Sequence, residues 1–296
     1  MNNIQKTNNN SSDITILINS CDLYKDAWEP FIKLFYIQWK DCPYPIAINT
    51  ESIEYNGEYS ENVKTVCSPN KDITWSGRLK SCLKRIETEY VLFILDDYFV
   101  QNPVAVDVFE HAHQLMQNNE SIGMAALSYG ASNVEDGNFE DEFFYSRIIN
   151  KKNKIWCRIN LFRKDYLLKL IRDHETIWEF EQYAAFRAEK LPYSIIQQKS
   201  SVPECFTFYV KFEDGYGISL RKWLPKNKEL FEKYGIEVNF DNLGFLDLEA
   251  FNNSQKAKGV KEKPKGAKEK LYIVKKKIIG IPPKIKKQIR ILKSKI

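Results

Sequence analysis

Tyr90-Val91-Leu92-Phe93-Ile94-Leu95-Asp96-Asp97 is the stretch on which the reading of this chain turns. Its first six residues are the most apolar strand candidate in the sequence, as expected of a strand covered on both faces in a largely parallel sheet. The run stops abruptly at two adjacent carboxylates. Ligands of open α/β sheets bind outside the carboxyl ends of the strands, so Asp96 and Asp97 stand where a ligand site is expected.

The flanking segments fit such a sheet. Residues 13–19 are a continuous β-branched run and predict a buried parallel strand, followed by an amphipathic helix from Ala27 to Lys40. Pro45 to Asn49 and Val63 to Val66 predict two further strands. Gly77 to Glu87 predicts a helix with Leu79, Leu83 and Ile86 on one face. Beyond the acidic pair, Val104 to Gln117 predicts a helix and Ile122 to Leu127 a strand. This alternation is that of an open α/β sheet with right-handed crossovers.

Past residue 130 the rhythm breaks. Ser132 to Glu142 is polar and acidic, contains Gly137 and reads as a loop. Trp156 to Phe162 predicts a strand, and Lys164 to Arg172, Trp178 to Glu189 and Pro225 to Tyr234 predict helices. Gly215 and Gly217 mark a loop before Ser219 to Trp223. No internal repeat is visible.

Composition narrows the class. The 296 residues are 43% hydrophobic and 14% aromatic, enough for a sizeable core with rings left over for a sugar or base pocket. Six scattered cysteines and three histidines, with no CxxC pair, argue against a zinc site or a disulfide framework and suit a reducing cytoplasm. No secretory signal opens the chain, and no apolar run approaches the roughly 20 residues of a spanning helix. The net charge of +5 conceals an asymmetry: residues 256–296 carry +14 and the remainder −9.

Two neighbouring carboxylates repel each other unless a cation lies beside them. Mg²⁺ and Mn²⁺ take oxygen ligands and bridge to phosphate, which is the chemistry that holds a nucleoside diphosphate as it leaves. Leu95-Asp96-Asp97-Tyr98-Phe99 resembles the DxD-type metal motif of GT-A glycosyltransferases. The order of segments around it is similar to that of family-2-like bacterial glycosyltransferases of capsule and lipopolysaccharide synthesis. Ser20-Cys21-Asp22 matches their polar loop after the first strand. Trp75-Ser76-Gly77-Arg78-Leu79 matches the segment preceding the acidic strand, and Trp178-Glu179-Phe180-Glu181 a later one. The resemblance covers roughly residues 13–240. Asp96-Asp97-Tyr98 departs from a strict D-x-D, which leaves open which aspartate touches the metal.

The resemblance implies a GT-A fold, a Rossmann-like open mixed sheet with helices on both faces, and a metal-dependent transferase using Mn²⁺ or Mg²⁺. The donor would be a nucleoside diphosphate sugar, of UDP type. Ser20 and Asp22 would hold base and ribose, although the same residues also suit a turn with a side-chain cap. Trp75 and Arg78, at the start of a helix, would meet the donor, Arg78 offering phosphate a planar fork. Asp96 would contact the donor as well as the metal. In an inverting transferase a carboxylate accepts the acceptor's proton. Glu181 is the first choice, because Ala184, Ala185 and Ala188 follow it as a small-residue face that would leave room above the sheet; Glu179 is the alternative. Acids are also favoured in a first helical turn without any catalytic role. Tyr129, Trp156 and Asp214 are weaker acceptor candidates.

The expected organisation is a disordered leader at 1–12 and a catalytic domain at 13–253. Within it, 13–128 would hold the nucleotide sugar and 129–253 the acceptor. A basic linker and tail fill 254–296. In residues 271–296 Ile285, Ile289 and Leu292 recur among lysines, a pattern suited to an amphipathic helix on an anionic membrane surface. With one tyrosine, the tail lacks the aromatic interleaving of nucleic-acid binders. The expected place is cytoplasmic, peripheral on the inner face of the membrane, with a glycan or lipid-linked glycan as acceptor. A Mg²⁺-dependent nucleotidyltransferase and a non-catalytic glycan-binding protein stand as alternatives.

Overall fold

The structure, a computed structural model, describes residues 13–68, 73–128, 135–149, 155–208, 217–251 and 253. The leader at 1–12, Tyr129, Asp214 and the linker and tail from 254 onward lie outside the described residues. The chain divides into two compact units, Met1–Leu246 and Asp247–Ile296. The described start of the second is a helical turn in which Phe251 N–H donates to Asp247 O at 2.9 Å.

The first unit is α/β. Its first half runs β1 (Ile14–Asn19), α1 (Lys25–Gln38), β2 (Ile46–Thr50), β3 (Val63–Cys67), α2 (Trp75–Leu83), β4 (Tyr90–Leu95), α3 (Val106–Asn118) and β5 (Ile122–Ala126). The second half runs β6 (Glu135–Glu140), β7 (Phe144–Arg147), β8 (Asn160–Arg163), α4 (Lys164–Leu170), α5 (Ile177–Ala188), β9 (Ser194–Gln198), β10 (Ile218–Ser219), β11 (Lys222–Trp223) and α6 (Asn227–Lys233). Strands β1–β9 form one mixed sheet in the order β3-β2-β1-β4-β8-β5-β9-β7-β6.

The apolar runs form strands because both faces of the sheet are covered. In β4, Tyr90, Leu92 and Ile94 pack into one core with residues of α1, α3 and α6. Val91 and Phe93 face the opposite core with residues of α2, α4 and α5. Each large side chain buried this way contributes about 2 kcal/mol. Strand alternation thus explains why β1 and β4 read as uninterrupted apolar runs rather than alternating ones.

One expectation for the second half changes, and two features were not foreseen. Residues 132–142 were expected as a loop, yet Glu135–Glu140 is strand β6, paired antiparallel with β7 at the end of the sheet order. An edge strand tolerates polar side chains because one side of it need not pack. The turn is closed by Asp141, whose Oδ1 accepts from Phe143 N at 2.9 Å and Phe144 N at 2.8 Å. Strand β9 (Ser-Ile-Ile-Gln-Gln) was not foreseen; its glutamines are buried, and Gln197 Nε2 donates to Ser128 O at 2.7 Å. Residues 219–223 are a hairpin, with Ile218 opposite Trp223 and Ser219 opposite Lys222.

The topology makes the site. β1 pairs in parallel with β2 on one side and β4 on the other. The chain order therefore reverses between β1 and β4, and a crevice opens at the carboxyl ends of strands where that happens. Their register sets Asn19 opposite Leu95. Ser20 and Asp96, the next residue of each strand, consequently emerge side by side.

Candidate functional site

A cavity of about 990 Å³ lies at these strand ends. Asn19, Ser20, Cys21 and Tyr24 line it after β1, and Asp96, Asp97 and Tyr98 after β4. Trp75 and Arg78 of α2 join them, with Trp156 and Arg158 before β8. Ile177, Trp178 and Glu181 of α5, Glu204, Phe208 and the β10–β11 hairpin complete the wall. Ser20, Trp75, Arg78, Asp96, Asp97, Trp156 and Glu181, all named from the sequence, thus line one cavity. Asp22 and Glu179 are not among the lining residues.

Asp96 is buried and accepts a hydrogen bond from the Ser20 hydroxyl. Burial pushes its carboxyl well above the usual range, and repulsion from Asp97 adds to the rise. Asp97 is half-buried and accepts from the Ile218 main-chain N–H; burial raises it to about 7. Such a pair carries two charges readily only beside a cation. Gly217 lets the hairpin approach: at φ +118° a Cβ there would stand 2.9 Å from Asp97 O. The Asn227 side chain clamps both main-chain groups of Gly217, Nδ2 to O at 2.5 Å and N to Oδ1 at 2.8 Å. The hairpin's next turn holds Leu220 and Arg221 at φ 51° and 62°, a left-handed pair unusual without glycine.

Asp22 was expected at base and ribose; the structure uses it as a clamp. Its Oδ1 accepts from Glu51 N and Ser52 N at 3.1 Å and Ile53 N at 3.2 Å. Its Oδ2 accepts from Ser52 Oγ at 2.6 Å. The carboxylate is thereby used by the loop after β2, the side-chain-capped turn that was the alternative reading. Burial alone would raise its carboxyl, but the Ser52 hydroxyl and the loop N–H groups outweigh burial and hold it below its ordinary value of 3.8. A depressed native value stabilises the fold fully above the unfolded value and loses that contribution as pH falls through the native one. The difference in unfolding free energy between wild type and Asp22→Asn should be constant above about pH 5 and shrink toward about pH 3. A difference that stays constant across a denaturation series in that window would contradict the clamp.

Arg78 was read as a phosphate fork, and most of that fork is occupied by protein. Its Nη2 donates to Ser20 O at 2.9 Å and its Nη1 pairs with Glu51. Only Nε is buried without a partner among the described residues. Arg78 therefore braces the loop after β1 against the loop after β2. Arg78→Lys, with no planar fork, should lower unfolding free energy by about 2 kcal/mol with or without nucleotide. Unchanged stability with a selective loss of nucleotide affinity would restore the direct phosphate role.

Glu181 is positioned from three directions. Its Oε1 accepts from Cys157 N at 2.8 Å. Helix α5 begins with a capping box between Thr176 and Glu179. Buried Glu175, next to that cap, pairs both oxygens with Arg187 at 2.7 and 2.8 Å. This cap decides between the two glutamates. Glu179 faces solvent, and bonds from the Thr176 N–H and hydroxyl hold its carboxyl below the usual range. It caps the helix and does not line the cavity. The alanine face does not leave room as expected: Ala184, Ala185 and Ala188 are fully buried against the sheet with Phe93 and Tyr166.

Several lining residues were not foreseen. Burial pushes the Tyr98 hydroxyl above its ordinary value, and the charges of Asp97 and Glu181 add to the rise. The Tyr98 ring stacks on Phe208 with centroids 4.6 Å apart. Arg158, beside Trp156, is 5.8 Å from that ring's centroid. The Trp-x-Arg spacing at 156–158 was the available sequence signal. The ring partner of Tyr98 comes from a distant segment and left none.

No protein-family model matches the sequence, and no curated protein matches it. Among solved structures, residues 1–349 of S. aureus TarS superpose over 65% of this chain and 59% of that one, at 12% identity and a TM-score of 0.45. The galactosyltransferase LgtC, in complex with donor and acceptor sugar analogs, matches at 10% identity over 61% of this chain and 67% of that one, with a TM-score of 0.35. CMP:2-keto-3-deoxy-manno-octonic acid synthetase, complexed with CTP, matches at 13% identity over 63% and 89%, with a TM-score of 0.36. The chain thus spans little more than half of the TarS fragment it matches.

Proposed function

We propose that this protein is a GT-A-type glycosyltransferase that moves a sugar from a nucleoside diphosphate sugar, of UDP type, to a glycan or lipid-linked glycan acceptor. One observation carries the reading. A pair of strand-end carboxylates at the β1–β4 reversal shares a 990 Å³ cavity with a separately positioned glutamate. The first can hold the departing diphosphate through a cation, and the second can take a proton from an acceptor.

Among the described residues no group of three or more His, Cys, Asp and Glu side chains gathers as a self-sufficient metal site. Two carboxylates suit Mg²⁺ or Mn²⁺, which complete their shell with water and phosphate oxygens. Asp96 and Asp97 would hold the ion, whose charge stabilises the leaving diphosphate. Glu181, oriented by Cys157 N–H, accepts the proton as the acceptor oxygen bonds to the anomeric carbon and the bond to the diphosphate breaks. Attack from the face opposite the leaving group gives inversion. Trp75 and Trp156 offer flat apolar faces to base or sugar.

The nucleotidyltransferase alternative uses the same carboxylates but has no need of Glu181. It also expects a glycine-rich loop after the first strand, where this chain has Ser20-Cys21-Asp22. Incubation with a panel of UDP-sugars and Mn²⁺ should release UDP slowly without acceptor. Pyrophosphate release from a nucleoside triphosphate and a sugar phosphate, with no UDP release from any UDP-sugar, would favour the alternative.

The role in surface-polysaccharide synthesis rests on the sequence resemblance, and membrane attachment on the charge pattern of 271–296. No helix among the described residues is long and apolar enough to cross a membrane.

A further inference from the structure

Behind Asp96 lies a hydrogen-bond chain that has no part in the steps proposed above. Trp28, on the first turn of α1, is 3% exposed, and Ser20 is 4% exposed. The Trp28 indole N–H donates to Ser20 Oγ at 2.6 Å, and Ser20 Oγ donates to Asp96 Oδ2. For the ionised carboxylate that a cation requires, chemistry fixes the direction. An indole nitrogen can only donate, and a serine hydroxyl has one proton. With Trp28 supplying a donor, the hydroxyl must point its proton elsewhere. The competing acceptor, Cys21 O, is 3.3 Å away. The Ser20 main chain is itself pinned, its O held by Arg78 and its N donating to Asn49 O at 3.1 Å.

We propose that Trp28 and Ser20 are positioning residues for Asp96: the indole–hydroxyl–carboxylate chain fixes the carboxylate's rotamer, so that the aspartate pair is arranged for a divalent cation before any ligand arrives. The inference rests on the reading of Asp96 and Asp97 as cation ligands. It explains why a tryptophan with a committed N–H sits in the first turn of α1, and why Ser20 has little capacity left for base or ribose. Outer-sphere partners of this kind typically change metal affinity 10- to 100-fold.

The test is titration of the whole protein with Mn²⁺ in the presence of UDP, free Mn²⁺ being read by electron paramagnetic resonance. Ser20→Ala should weaken Mn²⁺ binding by about 10-fold or more, and Ser20→Thr, which keeps the hydroxyl, should restore most of it. Trp28→Phe keeps an aromatic in the core but frees the hydroxyl to turn, and should weaken binding several-fold. Thermal unfolding of each variant separates this from a packing defect. If Ser20→Ala and Trp28→Phe bind Mn²⁺ like the wild type, whatever their melting temperatures, the positioning role is overturned while the metal site stands. If the wild type binds no Mn²⁺, the metal reading falls and takes this inference with it. Should Ser20→Ala fail to fold, the Trp28→Phe and Ser20→Thr pair still decides the matter.

Discussion

Asp97→Ala is expected to lower Mn²⁺-dependent release of UDP from a UDP-sugar by on the order of 10³-fold. Asp97 is half-buried on the cavity wall and held by the Ile218 N–H across a glycine that admits no side chain. Removing the carboxylate takes away one of two anionic oxygen donors and leaves Asp96 alone, with one oxygen already bound to Ser20. The diphosphate would then leave without its full counter-charge. Asp96→Ala should be comparably damaging, because a single remaining carboxylate leaves the cation half-neutralised and short of one oxygen ligand. The hairpin, the Asn227 clamp and both cores remain, so thermal stability should hold or rise as the repulsion disappears. Steady-state hydrolysis at saturating and limiting Mn²⁺ checks this. If both variants retain wild-type turnover and metal dependence, the carboxylate pair is not the catalytic metal site.

Glu181→Gln should reduce sugar transfer by about 10² to 10⁴-fold, the usual contribution of a positioned general base. Glutamine keeps the volume and, through its carbonyl, the bond from Cys157 N–H, so the loss would fall on proton acceptance. Donor binding and Mn²⁺ affinity should stay within error of wild type, which separates this residue from the aspartates. Glu179→Gln is the matched control. It sits two residues away, caps α5 and faces solvent. Its transfer rate should be near normal. Near-normal transfer by Glu181→Gln, or equal losses in both variants, would remove Glu181 from the role of base.

The order of elements in the first half was legible because buried parallel strands and amphipathic helices leave local patterns. Tyr90 to Leu95 was bounded to the residue, and β1, β2 and β3 to within about a residue. The second half was harder for a physical reason. There the sheet turns mixed, its strands are short, and the edge strand Glu135–Glu140 is polar because one side needs no cover. Strand β9 was hidden because Gln197 and Gln198 are buried polar residues whose side chains bond outside the strand, Gln197 Nε2 to Ser128 O and Gln198 Oε1 from Cys205 N, which no local pattern announces.

By itself the sequence determined an α/β sheet, the abrupt end of its most apolar strand in two carboxylates, and a short set of charged and aromatic candidates. Only the tertiary structure decided where those candidates stand and what they bond. It brought Ser20 against Asp96 and turned Asp22 and Arg78 into braces between two loops. It gave Glu181 to the cavity and Glu179 to a helix cap. Periodicity records which face of an element is buried. It does not record which carboxylate, among several of the same type, already has its hydrogen bonds satisfied by another part of the chain, and that pairing separates a clamp from a ligand.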